Sequence, residues 1–515
     1  MRTFSINTLG CKVNQYEGQQ IRELLEQHGL RKAQGSATPD LLVVHTCCVT
    51  HTASAKSRQC IRKVLKQNPD SVVLVSGCLP TAQIGELSTL TQNVHVVRNR
   101  SDLPAALTHW AESRAATPVS QSAQSCPNIS IKAQNSFKIK HKKEDFVGAG
   151  PRACPGQPHR IAPTLELPPL TSFKEQTRAF LKVQDGCDRC CSYCIVPQTR
   201  PVVHSKPVEI VLQEAQALVE SGHREIVVTG VFLGAYGQKS ARQENWPDHR
   251  NDNLADLLDN MAKIGNLTRI RLSSLEPADV TDRLLDTLAE HRNIMPHLHL
   301  ALQSGSDAVL RKMCRRYKTD EFRKRVESIK ARLDRPAITT DIIVGFPGET
   351  EADFEQTVDL AKSVGFAKMH VFTFSPRRGT PAANMQGFVE NGVMKRRSEI
   401  LRDLDAELGL QYRRQFLGET AEILIESEND GRTSPTGPTG LTSLCGRSER
   451  YFKVYLPPGD GSRQKEVGCA TCCTRGFQSA GAKEVCAHPM SLKNNDIVKA
   501  SLIENYRDGL LGVPV

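Results

Sequence analysis

Between Arg178 and Phe374 six strand-like runs alternate with helical segments, an order that few folds accept. The strands are read at 179–183, 225–229, 268–272, 297–302, 337–344 and 368–374, and the helical patterns start at Pro207 and recur around 254–263, 280–290, through Arg332 and at 351–363. Parallel neighbours need helical crossovers, so the series predicts a parallel βα barrel. Six repeats fall short of a full eight-stranded barrel. The expectation is therefore a partial (β/α)6 barrel whose working face is built by the loops that follow its strands.

The rest of the 515 residues divides around that core. Residues 1–112 alternate strand-like runs at 3–8, 41–45 and 72–76 with helical patterns such as Ile21, Leu24 and Leu25 ahead of Gly29, which reads as a small α/β domain. Residues 113–172 turn to Ser, Ala, Gln, Pro and Lys; Pro118, Pro127, Pro151, Pro155 and Pro163 break any periodicity, as in a linker or insertion, and Cys126 and Cys154 there read as unliganded. The barrel is expected over 173–410. Residues 411–515, with strands at 421–425, 451–456 and 497–503 and an insertion at 457–492, read as a small β-barrel.

A chain that is 39% hydrophobic and 24% charged folds rather than staying disordered, and its net charge of +11 admits a polyanionic partner. No run approaches the ~18 apolar residues that span a bilayer, and Met1 to Gly10 lacks the apolar core of a secretory signal. A cytoplasmic protein without a membrane partner is expected.

In such a reducing compartment the seventeen cysteines read as metal, cluster or catalytic ligands rather than disulfides. Cys187, Cys191 and Cys194 form C-x3-C-x2-C directly after the first barrel strand. Three thiolates can hold three irons of a cubane cluster and leave the fourth open. An open iron can bind the amino and carboxylate groups of S-adenosylmethionine, whose reductive cleavage gives a carbon radical. A zinc site would bring a second ligand pair at similar spacing, and none follows soon after. Cys190 would break the spacing and reads as a bystander.

Cys11, Cys47 and Cys78 each follow one of the first three strands, and in a parallel sheet such loops face one crevice. They can ligate a second cluster; the bland alternative is buried small hydrophobes. Adjacent residues on an extended segment point to opposite sides, so only one of Cys47 and Cys48 can serve that mouth. Cys60 falls on a helix.

The sequence contains Thr8-Leu-Gly-Cys11-Lys-Val-Asn14-Gln-Tyr-Glu17, Thr46-Cys47-Cys48-Val49-Thr50, Ser76-Gly-Cys78, Gln184-Asp-Gly-Cys187, Thr229-Gly-Val-Phe-Leu-Gly-Ala-Tyr-Gly237, Arg271-Leu-Ser-Ser-Leu-Glu276, Leu302-Gln-Ser-Gly-Ser306 and Asp341-Ile-Ile-Val-Gly-Phe-Pro-Gly-Glu-Thr350. In these motifs the chain resembles the radical S-adenosylmethionine methylthiotransferases. The resemblance implies two [4Fe-4S] clusters, S-adenosylmethionine used both as methyl donor and as radical source, an electron-donating reductase and a monomer. The opening Gly-Cys-Lys-Val-Asn-Gln-Tyr-Glu is similar to the branch that modifies C2 of threonylcarbamoyladenosine at position 37 of transfer RNA. Isopentenyladenosine or a ribosomal protein as substrate, or a noncatalytic iron-sulfur RNA-binding module, are the competing readings.

Catalysis would rest on Cys187, Cys191 and Cys194, and S-adenosylmethionine contacts are expected from Gly230, Ser273, Glu276, Gln303 and Gly345 in the mouth loops. The tail is similar to the family's RNA-binding TRAM domain, which nominates Arg447, Tyr451 and Lys453 as RNA contacts, with Arg200 and Lys206 as phosphate contacts near the mouth. His45 stands where the family often has Asn, and 197–205 lacks part of the usual basic pattern. Cys469, Cys472, Cys486 and His488 in the tail insertion are a possible zinc set.

Overall fold

The computed structural model describes residues 2–35, 37–82, 94–113, 167–242, 251–426, 444–456 and 493–515. The possible zinc set, Cys126 and Cys154 lie outside them.

The N-terminal sheet contains β1 (Thr3–Thr8), β2 (Arg31–Lys32), β3 (Leu41–Thr46), β4 (Val72–Gly77) and β5 (Val94–Val96) in the order β2-β1-β3-β4-β5, all parallel. Its helices are α1 (Lys12–Gln27), α2 (His51–Gln67), α3 (Cys78–Ala82) and α4 (Leu103–Ser113). Every residue of β3 and β4 is buried, as a central strand covered by helices on both faces requires. The two-residue β2 and three-residue β5 were not expected; they are too short to carry an apolar period.

The central unit runs β6 (Ala179–Asp185), α5 (Val196–Thr199), β7 (His204–Ser205), α6 (Val208–Glu220), β8 (Glu225–Gly230), α7 (Asn253–Ala262), β9 (Arg269–Leu272), α8 (Asp282–Glu290) and β10 (His297–His299). It continues with α9 (Asp307–Lys312), α10 (Thr319–Arg332), β11 (Ala337–Val344), α11 (Glu351–Val364), β12 (Lys368–Thr373) and α12 (Asn391–Arg414). β6-β8-β9 and β10-β11-β12 are parallel sheets, joined by the parallel bridges Ile270↔Ile294 and Leu275↔Leu300. The result is the expected six-strand arc, with β7 added antiparallel on β6. Helix ends are fixed locally: the Thr350 hydroxyl accepts from the Asp353 N–H at the start of α11, and Gly365 ends it at φ +66°.

Strand alternation separates two faces. Leu181, Val183, Ile226, Val228, Ile270, Leu272, Leu298, Ile338, Ile342 and Met369 pack in the apolar core under the helices. By the period of two, Lys182, Glu225, Arg269, Arg271, His297, His299, Asp341 and His370 face the lumen.

The C-terminal strands β13 (Thr420–Glu426), β14 (Leu444–Arg447), β15 (Lys453–Leu456), β16 (Ile497–Tyr506) and β17 (Gly509–Pro514) form a closed barrel. β14 and β17 were not expected, because Gly446, Gly509 and Gly512 interrupt their apolar runs. In the barrel a Cβ on Gly446 would lie 2.4 Å from the Leu424 carbonyl oxygen, and one on Gly509 would lie 2.4 Å from that of Lys453. Closure therefore selects these glycines.

Tyr451, read from the sequence as an RNA contact at the start of a strand, sits instead in the turn before β15 at φ +71° and plugs the lower end of the βα arc. Its ring lies 4.7 Å from that of His297 and 4.9 Å from the Arg271 guanidinium, and its hydroxyl accepts from Arg178 at 2.8 Å. Arg269 donates to the carbonyls of Arg447 and Glu422, and Arg271 to those of Ser448 and Glu449. Arg447, also expected at RNA, stacks on Tyr451 at 4.8 Å and donates to its carbonyl. Lys453 is paired with Asp508 at 2.7 Å. Tyr451 and Arg447 hold the two units together because the cationic lower end of the lumen needs aromatic and carbonyl partners, whereas the Lys453 pair lies within the small barrel.

Tyr451→Ala should cost about 3 kcal/mol, seen as a lower apparent Tm, whereas Tyr451→Phe should lose only about 1 kcal/mol with the Arg178 bond. An Ala variant melting with the wild type would remove the plug from this account.

Candidate active site with two cysteine centres

The first centre forms in the loop after β6. Gly186 turns the chain at φ +76°, and a Cβ there would lie 1.6 Å from the Val202 carbonyl oxygen, so only glycine fits. The Cys187 N–H donates to the Arg200 carbonyl at 2.9 Å, and the Cys194 N–H to the Cys191 carbonyl at 3.1 Å. The Ser192 hydroxyl donates to the Lys312 carbonyl and its N–H to that of Met313, which ties the loop to the far side of the mouth. Cys187, Cys191 and Cys194 are half-buried and mutually within electrostatic reach. Burial raises the Cys187 and Cys194 thiols to about 12. Cys190 is exposed.

Arg315 Nη1 lies 3.5 Å from Cys191 Sγ, and its Nη2 pairs with Glu276 at 2.6 Å. Arg189 takes the other Glu276 oxygen. Glu276, expected to contact a cofactor, is thus occupied by two arginines and positions them. Arg189 and Arg315 were not anticipated; two arginines beside thiolates at 189 and in Cys314-Arg-Arg-Tyr317 were the available signal.

The second centre lies at the ends of the adjacent strands β1, β3 and β4, where Cys11, Cys47 and Cys78 come together and interact electrostatically. Gly10, at φ +109°, permits it: a Cβ there would lie 2.5 Å from Cys47 Cβ. Gly77, at φ +94°, would set a Cβ 2.4 Å from the Thr46 carbonyl oxygen. Asn14 donates to the carbonyls of Leu9 and Thr46, both at 2.9 Å, and the Ser57 hydroxyl donates to the Cys47 carbonyl at 2.9 Å. Burial raises the Cys47 thiol to about 11. Cys48 is fully buried and its Sγ donates to the Cys78 carbonyl at 3.3 Å. His45 is accommodated: Nδ1 lies 2.9 Å from the Ser76 hydroxyl and Nε2 3.1 Å from Glu17.

Arg200 joins the two centres. Its guanidinium meets both Glu17 oxygens at 2.9 Å, Asp185 at 2.6 Å and Asn14 at 3.1 Å, while its carbonyl holds Cys187. Arg377, from the loop after β12, donates to Ser54 at 2.7 Å and to the Cys48 carbonyl, giving a second tie. The expectation of phosphate contacts at Arg200 and Lys206 is therefore corrected. Arg200 is buried with carboxylates, and Lys206 is bound to Tyr16 at 2.5 Å and to Glu214.

Of the mouth residues expected to meet S-adenosylmethionine, Ser273 and Gln303 fit best. The Ser273 hydroxyl is buried without a hydrogen-bond partner. Gln303 is buried at φ +68°, a strained conformation for a side-chain-bearing residue, and its backbone bonds to Asp341 and Ile343. Gly230 and Gly345 are explained by packing: a Cβ would lie 3.0 Å from Gln184 at the first and 2.2 Å from Met394 at the second.

Two thiol triplets that follow parallel strands, one of them beside the Arg189–Glu276–Arg315 cluster, define an iron-sulfur enzyme that acts at a barrel mouth. Residues 181–361 match the Radical SAM superfamily, and residues 3–98 match the uncharacterized protein family UPF0004. The chain is 35% identical over 427 residues to the threonylcarbamoyladenosine tRNA methylthiotransferase MtaB of Bacillus subtilis, covering 83% of this chain and 85% of that one. It is 33% identical to the protein of that name from Thermotoga maritima, covering 83% and 87%. Against the tRNA-2-methylthio-N(6)-dimethylallyladenosine synthase of Desulfitobacterium hafniense it is 31% identical, covering 87% and 90%. The chain belongs to the radical S-adenosylmethionine tRNA methylthiotransferase family.

Removing Arg200 takes the bidentate partner from Glu17 and leaves Lys182 shared between Glu17 and Asp185, so Arg200→Ala should destabilise the protein by about 3 kcal/mol. Arg200→Lys should recover less than half, because an ammonium cannot bridge both Glu17 oxygens. Denaturant unfolding checks both; equal stability of Lys and Arg forms would contradict the bidentate role.

Proposed function

We propose that the protein installs a methylthio group at C2 of N6-threonylcarbamoyladenosine in position 37 of transfer RNA. The observation that carries this reading is the pairing of the two cysteine triplets, held toward one another through Arg200. Support for the substrate comes from the higher identity to the two threonylcarbamoyladenosine enzymes than to the dimethylallyladenosine enzyme.

Cys187, Cys191 and Cys194 would hold one [4Fe-4S] cluster and Cys11, Cys47 and Cys78 the other. Three thiols apiece suit clusters that each keep an open iron. With S-adenosylmethionine these groups supply the one-electron chemistry that activates an aromatic C–H bond, and the sulfur that replaces the hydrogen. The chain's own part is placement. Arg315 and Arg189 set positive charge beside the first thiolate site, Ser273 and Gln303 offer hydrogen bonds at the mouth, and Arg200 fixes the distance between the centres. Misplacement by ~1 Å can cost two orders of magnitude in rate, which gives that rigidity its purpose.

The reaction needs an electron-donating reductase. We place the protein in the cytoplasm with its tRNA, as a monomer; among the described residues no helix is long and apolar enough to cross a membrane.

Mass spectrometry of nucleosides from an anaerobic reaction with reconstituted protein, reductant, S-adenosylmethionine and threonylcarbamoyladenosine tRNA tests the reading. Cys187→Ala should abolish both methylthiolation and 5′-deoxyadenosine formation. Cys11→Ala should abolish methylthiolation while 5′-deoxyadenosine still forms, and each variant should carry about half the wild-type iron. Product from either variant would sink the assignment.

A further inference from the structure

The lumen above the Tyr451 plug holds a polar group that the cysteine centres do not use. His299, Asp341 and His370 stand side by side on β10, β11 and β12, one ligand atom of each within 4.8 Å of the others. His299 Nε2 lies 3.3 Å from Asp341, and the two imidazole rings are 5.9 Å apart. Lys12 joins them from outside the barrel. It is the first residue of α1, next to Cys11, and it is within electrostatic reach of Asp341, His297 and Tyr451. Its ammonium makes no hydrogen bond or ion pair with any described residue.

An unpaired ammonium drawn into the interior is costly unless something answers it. Neighbouring cations of this protein have their answers: Arg178 has Glu426 and Tyr451, Lys182 has Glu17 and Asp185, and Arg200 has Glu17 and Asp185. Lys12 alone of these four is left for a ligand. The stripe of α1 that begins at Lys12 continues, a turn at a time, through Gln15, Gln19 and Arg22, which line a cleft of about 590 Å³ together with Arg178 and Glu426. The helix thus leaves space beside its polar face rather than packing it.

We propose that Lys12, His299, Asp341 and His370 form the subsite that reads the N6 substituent of the target adenosine, with Lys12 bound to its carboxylate. The inference rests on the substrate reading above and adds the residues that select it. A threonylcarbamoyl group presents one carboxylate, one hydroxyl, a urea carbonyl and urea N–H donors. An ammonium, two imidazoles and a carboxylate match that inventory group for group. A dimethylallyl substituent offers none of these and would leave the Lys12 ammonium unanswered, the kind of mismatch by which binding sites reject a substrate most strongly. Position agrees with this. Cys11 and Lys12 are consecutive, so an adenosine whose substituent reaches Lys12 has its reacting carbon beside the second cysteine centre.

The test uses the full-length reconstituted protein and three anticodon stem-loop RNAs: one with threonylcarbamoyladenosine, one with its carboxylate converted to the carboxamide, and one with isopentenyladenosine. The wild type should favour carboxylate over carboxamide by about tenfold or more in kcat/KM, the worth of one charge-assisted contact. Lys12→Met should bring that ratio close to one through a rise in KM for the carboxylate RNA, and Lys12→Arg should keep most of it. A ratio unchanged in Lys12→Met, or equal loss on both RNAs, overturns the proposal. So does metal analysis that finds an ion beyond the cluster iron in the wild type and its loss in His370→Ala, since the three residues would then be a metal site. If the wild type modifies only the isopentenyladenosine RNA, the substrate reading fails instead.

Discussion

One buried ion pair sets the geometry on which everything else depends. Arg200 and Glu17 have side chains only 5% and 6% exposed, and a pair so deep is stable only when its geometry is good and its remaining hydrogen-bonding capacity is filled. Both conditions hold. The guanidinium spans both Glu17 oxygens, and Asp185 and Asn14 take further N–H groups. Lys182 and His45 also bond to Glu17. Asn14 braces the Cys11 and Cys47 loops, and the Arg200 carbonyl braces Cys187. A shift of Arg200 would thus move both cysteine centres. Arg377 closes the assembly from the other end of the arc, which turns a hinge into a clamp.

The lumen is unusual for a βα barrel in the same physical terms. Full barrels fill their interior with branched apolar side chains. Here the inward positions hold Arg269, Arg271, Glu225, His297, His299, Asp341 and His370, while the apolar residues of the same strands pack outward under the helices. Charges can occupy the lower lumen because the C-terminal barrel closes it with Tyr451 and four backbone carbonyls. The upper lumen stays polar and open to a substrate. The small barrel is therefore the floor of the lumen.

The elements that the sequence made legible are those whose signal is local. The strands at 3–8 and 337–344 stand where their apolar runs put them, and the positions of the two cysteine triplets after strands could be read because loops that follow parallel strands share one end. β7, β14 and β17 were hidden: two residues carry no period, and glycines demanded by barrel closure look like turns. The basic residues were the least legible. Arg200, Lys206 and Arg447, with the aromatic Tyr451, have the composition of a nucleic-acid footprint, yet each is satisfied inside the protein. Charge along a sequence says nothing of which carboxylate a fold brings to meet it, and Glu17 is 183 residues from Arg200.

That correction also gives the small barrel a structural place in the fold. Arg269 and Arg271 stand at the start of β9 and fasten the C-terminal barrel to the amino ends of the strands. The cysteine loops stand at the carboxyl ends. On the proposed reading, recognition of the modified base falls to side chains within the lumen and on α1. A polar group such as Lys12, His299, Asp341 and His370 is what that division of labour requires.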